Sequence, residues 1–271
     1  MLKLYERKII MAFLEFNYYS KALTKHITVN VILPEANKKL EGIGLGDRES
    51  YKTLYLFHGL SQNHTDWMRK SSIERYADKY GIAVVMPNVD RSWYTDTAYG
   101  ANYFTFVSEE LPTVCRGYFK GMSGEREDNF VAGLSMGGYG ALKVALTFPE
   151  KYAGCASLSG ALDITRKNRP LNMSEWKSIF DFNMESALEL EGSKHDIYAL
   201  AKKNHEAGVK FPKMYIWCGT EDSPMILKNN TDFHALLEEL GVEHFYEESE
   251  GNHSWIWWDM HIKEALGFLF E

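Results

Sequence analysis

The sequence has few of the features that mark disulfide-rich, secreted or membrane-spanning proteins. It contains only three cysteines, with no C-x-x-C pairing, and we predict that Cys115, Cys155 and Cys218 are buried free thiols. No apolar run approaches the roughly 18 residues that a bilayer-spanning helix needs. Charged residues interrupt the first ten positions, which argues against a signal peptide and predicts a cytoplasmic protein without a membrane partner. Regular patterning starts just after Met11, so Met1 and Met11 both remain candidate start residues.

An excess of positive charge is also absent. The chain has 30 lysines and arginines against 37 acidic residues, a formal net charge of −7. Proteins that bind nucleic acid neutralise its phosphates with basic side chains, so this balance predicts no nucleic-acid partner. The remaining composition, 45% hydrophobic and 25% charged, is typical of a globular protein that can bury one continuous core.

Short apolar runs alternate with helical patterns along the chain. Residues 13–19 and 26–33 alternate apolar and polar side chains, which predicts an opening antiparallel pair of strands. Further strands are predicted at 53–57, 82–86, 130–134, 153–158, 214–218 and 242–248. Helical patterns separate the later strands, and an amphipathic helix follows from Trp255. This order predicts an α/β fold with a mostly parallel central sheet flanked by helices.

One segment interrupts the alternation. From Ala161 to Lys210 the sequence has helical patches, mixed charge and several aromatic or sulfur-containing side chains, but no clear strand. We predict a single domain over residues 1–271 with a small inserted cap at about 161–210. Residues 35–50 are rich in Gly, Lys and Glu without periodicity, and predict an exposed loop.

A glycine-flanked serine lies between a predicted buried strand and a predicted helix. The run Gly133-Leu134-Ser135-Met136-Gly137 matches the G-x-S-x-G nucleophile elbow. The glycines are needed because the turn is too tight for side chains on either side, while the serine adopts strained dihedral angles. The alternative is a glycine-rich turn with a passive serine. The context favours Ser135 as a nucleophile at a helix N-terminus, where the helix dipole stabilises negative charge.

A serine hydroxyl needs a base within hydrogen-bonding distance, and His253 is the best placed of nine histidines. It follows the last predicted strand and precedes the last helix, at the sheet edge that also carries the elbow. The other histidines fall in predicted strands or helices or in early segments. The pattern therefore predicts His253 as the general base.

The third member of such a site is an acid between the nucleophile and the histidine in chain order. Asp222 directly follows the strand that begins at Met214, and is our prediction. Glu221 is adjacent and could serve instead, Asp222 could simply cap the next helix, and Asp163 is a weaker alternative.

Acyl transfer also needs two backbone N–H groups to stabilise an oxyanion. We predict those of Met136, just after the nucleophile, and Leu60, which follows His58-Gly59 at the end of a buried strand. Taken alone, His58-Gly59 would be an ordinary turn.

Several motifs together resemble the esterase D-like family of α/β-hydrolases. They are His58-Gly59-Leu60, Asn63-His64-x-Asp66-Trp67, Arg91-Ser92-Trp93-Tyr94-Thr95-Asp96, Gly133 to Gly138 and Gly251-x-His253-x-Trp255. The family includes S-formylglutathione hydrolases, feruloyl and acetylxylan esterases, mycolyltransferases and bacterial tributyrin esterases, and the resemblance covers most of the chain from about Phe13. It implies an α/β-hydrolase fold, hydrolysis of short-chain acyl esters as small-molecule substrates, no metal or organic cofactor, and often a homo-oligomer.

The resemblance leaves the substrate open. Leu134 occupies the position before the serine where the formylglutathione branch usually has histidine, which disfavours a glutathione thioester. Trp67, Trp93 and Tyr94 are candidates for lining an acyl or aromatic pocket, or for the core. The expected activity is hydrolysis of acetyl to butyryl, or feruloyl, esters. The alternatives are a formylglutathione thioesterase, an acyltransferase and, with least support, a binding protein without catalysis.

Overall fold

The central element of the computed structural model, which describes residues 11–34, 50–165 and 172–271, is one eight-stranded sheet. The strands are β1 (Met11–Ser20), β2 (Lys25–Pro34), β3 (Thr53–Phe57), β4 (Ala83–Pro87), β5 (Asn129–Leu134), β6 (Gly154–Leu158), β7 (Lys213–Gly219) and β8 (Phe245–Ser249). Their order is β1-β2-β4-β3-β5-β6-β7-β8. The pairs β1–β2 and β2–β4 are antiparallel and all other pairs are parallel, which confirms the predicted sheet.

Helices connect the strands and cover both faces of the sheet. They are α1 (Asp66–Lys70), α2 (Ile73–Tyr80), α3 (Tyr103–Thr105), α4 (Leu111–Tyr118), α5 (Met136–Thr147), α6 (Met173–Ile179), α7 (Ile197–Glu206), α8 (Pro224–Glu239) and α9 (Trp255–Phe270). A π-helical turn, Phe106–Glu110, joins α3 to α4, and short 3₁₀ turns lie at Arg126–Asp128 and Ala187–Leu190. Within the described parts of the chain, no helix combines the length and hydrophobicity that crossing a bilayer requires.

The core consists of two apolar layers, one on each face of the sheet. Side chains of α2 and α9 pack on one face, and those of α4, α5, α7 and α8 pack on the other. The central strands β3 to β6 are buried along their whole length, because helices cover them on both sides. All three cysteines are free and buried, as predicted.

Between β6 and β7 the described residues form α6, the turn Ala187–Leu190 and α7, without a strand. Part of the predicted cap, residues 166–171, lies outside the described residues, as do the first ten residues and nearly all of the predicted loop at 35–50. The strands β3, β5, β6, β7 and β8 all run in the same direction. Their carboxyl ends therefore meet at one edge of the sheet, where α/β proteins place their sites.

Candidate active site

Ser135 occupies the turn between β5 and α5. Its backbone has φ 53° and ψ −118°, a strained conformation for a residue with a side chain. The backbone holds it there: the Ser135 N–H donates to the Leu158 carbonyl at 2.9 Å, and the Ser135 carbonyl accepts from Ala161 N at 3.1 Å. The side chain is thereby lifted above the sheet edge at the first turn of α5.

Two glycines make this turn sterically feasible. A Cβ on Gly133 would lie 2.3 Å from the Gly137 carbonyl oxygen, and one on Gly137 would lie 2.5 Å from that of Phe57. Backbone atoms cannot move aside as the end of a flexible side chain can. The G-x-S-x-G spacing is therefore required by packing against β3 as well as by the turn itself.

His253 lies in the loop between β8 and α9, with its imidazole between Ser135 and Asp222. Its Nε2 is 2.9 Å from Ser135 Oγ, and its Nδ1 is 2.9 Å from Asp222 Oδ1 and 3.2 Å from Oδ2. The Asp222 carboxylate accepts a hydrogen bond from Nδ1–H, so the proton stays on Nδ1 and the Nε2 lone pair faces the serine hydroxyl. The ring packs edge-on against Trp258, which fixes its plane.

Asp222 lies in the loop after β7, and its side chain is fully buried. Its carboxylate also accepts the N–H of Ser223 at 2.9 Å. Two backbone bonds join this loop to the histidine loop, Thr220 N to Ser249 O and Glu221 N to Gly251 O, both at 2.8 Å. Glu221 itself is exposed, so of the two adjacent acids the structure places Asp222 beside the imidazole.

The loop after β3 also contributes to the active site. Leu60 lines a cleft of about 480 Å³ together with Ser135, Met136 and His253. His58 fixes the loop: its Nδ1–H donates to Gly59 O at 2.7 Å and its Nε2 accepts from Val89 N at 3.0 Å. Burial lowers the pKa of His58 to about 4, so the ring stays neutral and keeps both bonds at physiological pH.

Side chains from three further segments complete the cleft. Trp93 and Trp176 meet edge-to-face at 5.1 Å between ring centroids and form one wall. The Arg91 guanidinium binds the Glu175 carboxylate through two hydrogen bonds, of 2.6 and 3.1 Å, at a partly exposed part of the lining. The other lining residues are Ala161, Asn172, Asp222, Ser223, Met225 and Ile226.

The structure corrects the assignment of two aromatics to the substrate pocket. Trp67 is buried on the other face of the sheet, where its ring packs against Trp255 and its indole N–H donates to the Phe57 carbonyl. Tyr94 is also fully buried, stacked on Phe57 with its hydroxyl bonded to the His58 carbonyl. Both side chains hold the end of β3 and the loop after it through hydrogen bonds to backbone carbonyls. Of the three predicted aromatics, Trp93 is the one on the cleft.

The sequence also did not reveal a buried lysine, Lys143, next to the loop that carries Trp93. Lys143 of α5 donates to Tyr94 O at 3.0 Å and Thr95 Oγ1 at 2.8 Å, and lies 3.1 Å from His195 Nδ1. Burial lowers the pKa of Lys143, but three acceptors match the three N–H groups of an ammonium. Burial, followed by the nearby charge of Lys143, lowers the pKa of His195 to about 2, so its Nδ1 stays an acceptor. Lys143 thus ties the Trp93 loop to the segment before α7.

Replacing Lys143 with methionine is expected to lower the free energy of unfolding by about 2–4 kcal/mol, because three buried acceptors lose their donor while the volume is kept. Urea denaturation followed by circular dichroism measures this. The matched control is Lys202→Met on α7, which is exposed and should change stability by less than about 0.5 kcal/mol. Equal stability of both variants would show that Lys143 does not hold these segments together.

Arg91 and Glu175 could not be paired from the sequence, because 84 positions separate them. Trp176 carried a partial signal as an aromatic residue in the predicted cap. Met225 and Ile226 face the cleft because α8 begins at Pro224, immediately after the Asp222 loop. A helix that starts beside a site presents its first turn to it.

Comparison with known proteins gives consistent matches over nearly the whole chain. A family model described as putative esterase matches residues 20–269. An acetyl esterase of Caldicellulosiruptor saccharolyticus is 34% identical over an alignment that covers 96% of this chain and 98% of that protein.

Two solved structures from Staphylococcus aureus are similar at 35% identity. The fluorophosphonate-binding serine hydrolase F, in a substrate-bound structure, superposes with a TM-score of 0.86 over 96% of this chain and 99% of its own. An S-formylglutathione hydrolase without ligand superposes with a TM-score of 0.81 over 97% of this chain and 100% of its own. These similarities confirm the predicted α/β-hydrolase fold.

Proposed function

Because this chain belongs to the putative esterase family and is a carboxylic ester hydrolase, we propose that it cleaves short-chain acyl esters, from acetyl to butyryl, through an acyl-enzyme on Ser135. The observation that carries the proposal is the His253 imidazole, which lies 2.9 Å from Ser135 Oγ and 2.9 Å from the buried Asp222 carboxylate beside an open cleft.

In the first half-reaction Ser135 Oγ attacks the ester carbonyl carbon while His253 Nε2 takes the hydroxyl proton. The carbonyl oxygen becomes an oxyanion, which the N–H groups of Leu60 and Met136 stabilise. The buried Asp222 carboxylate stabilises the imidazolium. When the intermediate collapses, the bond to the alcohol breaks and His253 returns the proton to the leaving oxygen.

Water completes the cycle. It enters where the alcohol left, His253 takes one of its protons, and the resulting hydroxide attacks the acyl carbon of the Ser135 ester. Collapse of the second oxyanion releases the carboxylic acid and restores the serine hydroxyl. Every proton transfer uses His253 Nε2, which takes and returns one proton in each half-reaction and is neutral again when the cycle ends.

The cleft supports the short-chain part of the proposal. Trp93 and Trp176 are both buried and meet edge-to-face, so together they limit its depth on one side. In the part of the inserted segment that the structure describes, α6 is the helix that contributes residues to the lining, and so short an insertion leaves little room for a long acyl channel.

A chain-length series of p-nitrophenyl esters tests the substrate class. We expect kcat/KM to be highest for acetate or butyrate and to fall by about tenfold or more for decanoate, since a chain that the cleft cannot enclose gains little transition-state binding. Fastest turnover of decanoate would contradict the proposal. Adding an alcohol such as methanol to the same assay distinguishes a hydrolase from an acyltransferase, which would form the methyl ester faster than the free acid.

Thioester hydrolysis is a second candidate, favoured by the 35% identity to a structure described as an S-formylglutathione hydrolase. The chemistry would be the same, with a thiol as the leaving group. The two candidates are separated by kcat/KM for S-formylglutathione against p-nitrophenyl acetate in one preparation. We expect the oxygen ester to be preferred.

A further inference from the structure

A group of metal-ligating side chains lies at the other end of α8, away from the active site. His234 and Glu238 are one turn apart on α8, and His244 lies in the loop before β8. One ligand atom from each of the three lies within 4.8 Å of the others. Along the helix, His234 is about 15 Å from Pro224, which adjoins the Asp222 loop, at about 1.5 Å per residue.

The backbone fixes the approach of His244 to α8. Gly241 adopts φ 65° and donates to Glu238 O at 3.0 Å, and Val242 donates to Leu237 O at 2.9 Å. These bonds end the helix and reverse the chain, and Val242 anchors the turn in the core. The position of His244 relative to the last turns of α8 is therefore set by the fold.

The hydrogen bonds orient one imidazole as a metal ligand requires. His244 Nδ1 lies 2.8 Å from the Val242 carbonyl oxygen, which can only accept, so Nδ1 carries the proton and Nε2 presents a lone pair. A metal-binding histidine is held in this way, with its second nitrogen donating to a carbonyl or carboxylate. The Nε2 lone pair points at His234 Nδ1, at 2.8 Å.

His234 is positioned from its other side. Its ring stacks on that of Tyr246 in β8, with 4.1 Å between centroids and 12° between planes. Without an ion, His234 Nδ1–H donates to His244 Nε2. With an ion, the proton of His234 resides on Nε2 instead, exchanged through water, and both facing nitrogens become ligands. This tautomer change moves a proton within one imidazole and releases none.

We propose that His234, Glu238 and His244 bind a divalent zinc ion, with water as the fourth ligand. Two neutral imidazoles and one carboxylate form a ligand set that suits Zn²⁺. The facing nitrogens need to separate only from 2.8 Å to about 3.3 Å, the spacing around a tetrahedral zinc with bonds of about 2.0–2.1 Å. The bound ion would clasp the end of α8 to the segment that leads into the edge strand β8.

The site takes no part in ester cleavage, so it is compatible with the expected metal-independent reaction. Its role is stability: an ion that binds the folded chain alone shifts the folding equilibrium toward that state. A second group, Glu247, His261 and Glu264, has similar composition. There His261 Nδ1 is already paired with Glu264 at 2.8 Å, and its ring is stacked on Trp217, which makes it the weaker candidate.

Isothermal titration calorimetry of the EDTA-treated 271-residue chain with zinc chloride tests the proposal, together with the melting temperature in zinc and in EDTA. We expect one zinc ion per chain and a higher melting temperature with zinc. His234→Ala and His244→Ala should each weaken this binding by at least about tenfold and remove the shift in melting temperature. His26→Ala, an exposed histidine on β2, should bind zinc as the wild type does.

Two further variants test whether zinc binds at another site instead. His253→Ala should keep the zinc ion, which excludes coordination at the active site, and Glu264→Gln should keep it as well. Metal-free His234→Ala should retain its activity on p-nitrophenyl acetate, which verifies that it is folded. Absence of zinc binding by the wild type, or binding that survives in both His234→Ala and His244→Ala, would overturn the proposal.

Discussion

Ser135→Ala is expected to lower kcat for p-nitrophenyl acetate by at least about 10⁴-fold, since the acyl-enzyme cannot form without the hydroxyl. KM should change little, because the cleft walls remain. The variant should also be folded, since the strained backbone at 135 is held by bonds from Ser135 N to Leu158 and from Ala161 to Ser135 O, which alanine keeps.

Mass spectrometry with a fluorophosphonate gives an independent measurement of the same prediction. In the wild type the serine oxygen displaces fluoride from phosphorus, and a tryptic peptide containing Ser135 should gain the mass of the phosphonyl group. Ser135→Ala should not be labelled. Ser254→Ala is the matched control: Ser254 adjoins His253 but makes no side-chain capping bond to α9, so activity and labelling should be retained. Retained activity in Ser135→Ala, or labelling at another residue, would contradict the assignment.

The elbow could be predicted from the sequence because its constraints are local. A buried strand, a tight turn and a helix follow one another within a few residues, and each leaves a pattern in composition. The order of the strands then brings distant loops together, since parallel strands share one carboxyl edge. These two facts are enough to place Ser135, Asp222 and His253 at one edge of the sheet from the sequence alone.

The face of the sheet on which a side chain packs is harder to predict from the sequence. Trp67 and Trp93 both follow strands that end at the active-site edge, yet α1 places Trp67 on the α2 and α9 face and only Trp93 reaches the cleft. No periodicity distinguishes the two faces of a sheet that helices cover on both sides. The helical segment from Tyr103 to Tyr118 lacks a clear periodic pattern for a different reason. The π-helical turn within it changes the spacing of apolar residues and disrupts the 3.6-residue period.

Asp222→Asn is expected to lower kcat by about 10⁴-fold at neutral pH, because the aspartate selects the histidine tautomer. In the wild type the carboxylate can only accept, so His253 Nδ1 must carry the proton and Nε2 must be free to take the proton of Ser135. An asparagine amide can donate to Nδ1, which moves the imidazole proton to Nε2. That nitrogen then cannot accept from the serine hydroxyl, although the shape of the site is unchanged.

Glu221→Gln is the matched control for this prediction. Glu221 is adjacent in sequence but exposed, so kcat should stay within about twofold of the wild type. Asp163→Asn should likewise have a small effect, because the Asp163 carboxylate accepts the N–H and hydroxyl of Thr165 in its own loop. Steady-state kinetics on p-nitrophenyl acetate, with urea denaturation to verify folding, compares the three. A large loss in Glu221→Gln or Asp163→Asn, with Asp222→Asn nearly unaffected, would assign the acid to another residue. The Asp222 variant is expected to lose the most activity because of burial. Of Asp222 and Glu221, only Asp222 is held away from water beside the imidazole, so only its carboxylate can determine which nitrogen of His253 carries the proton.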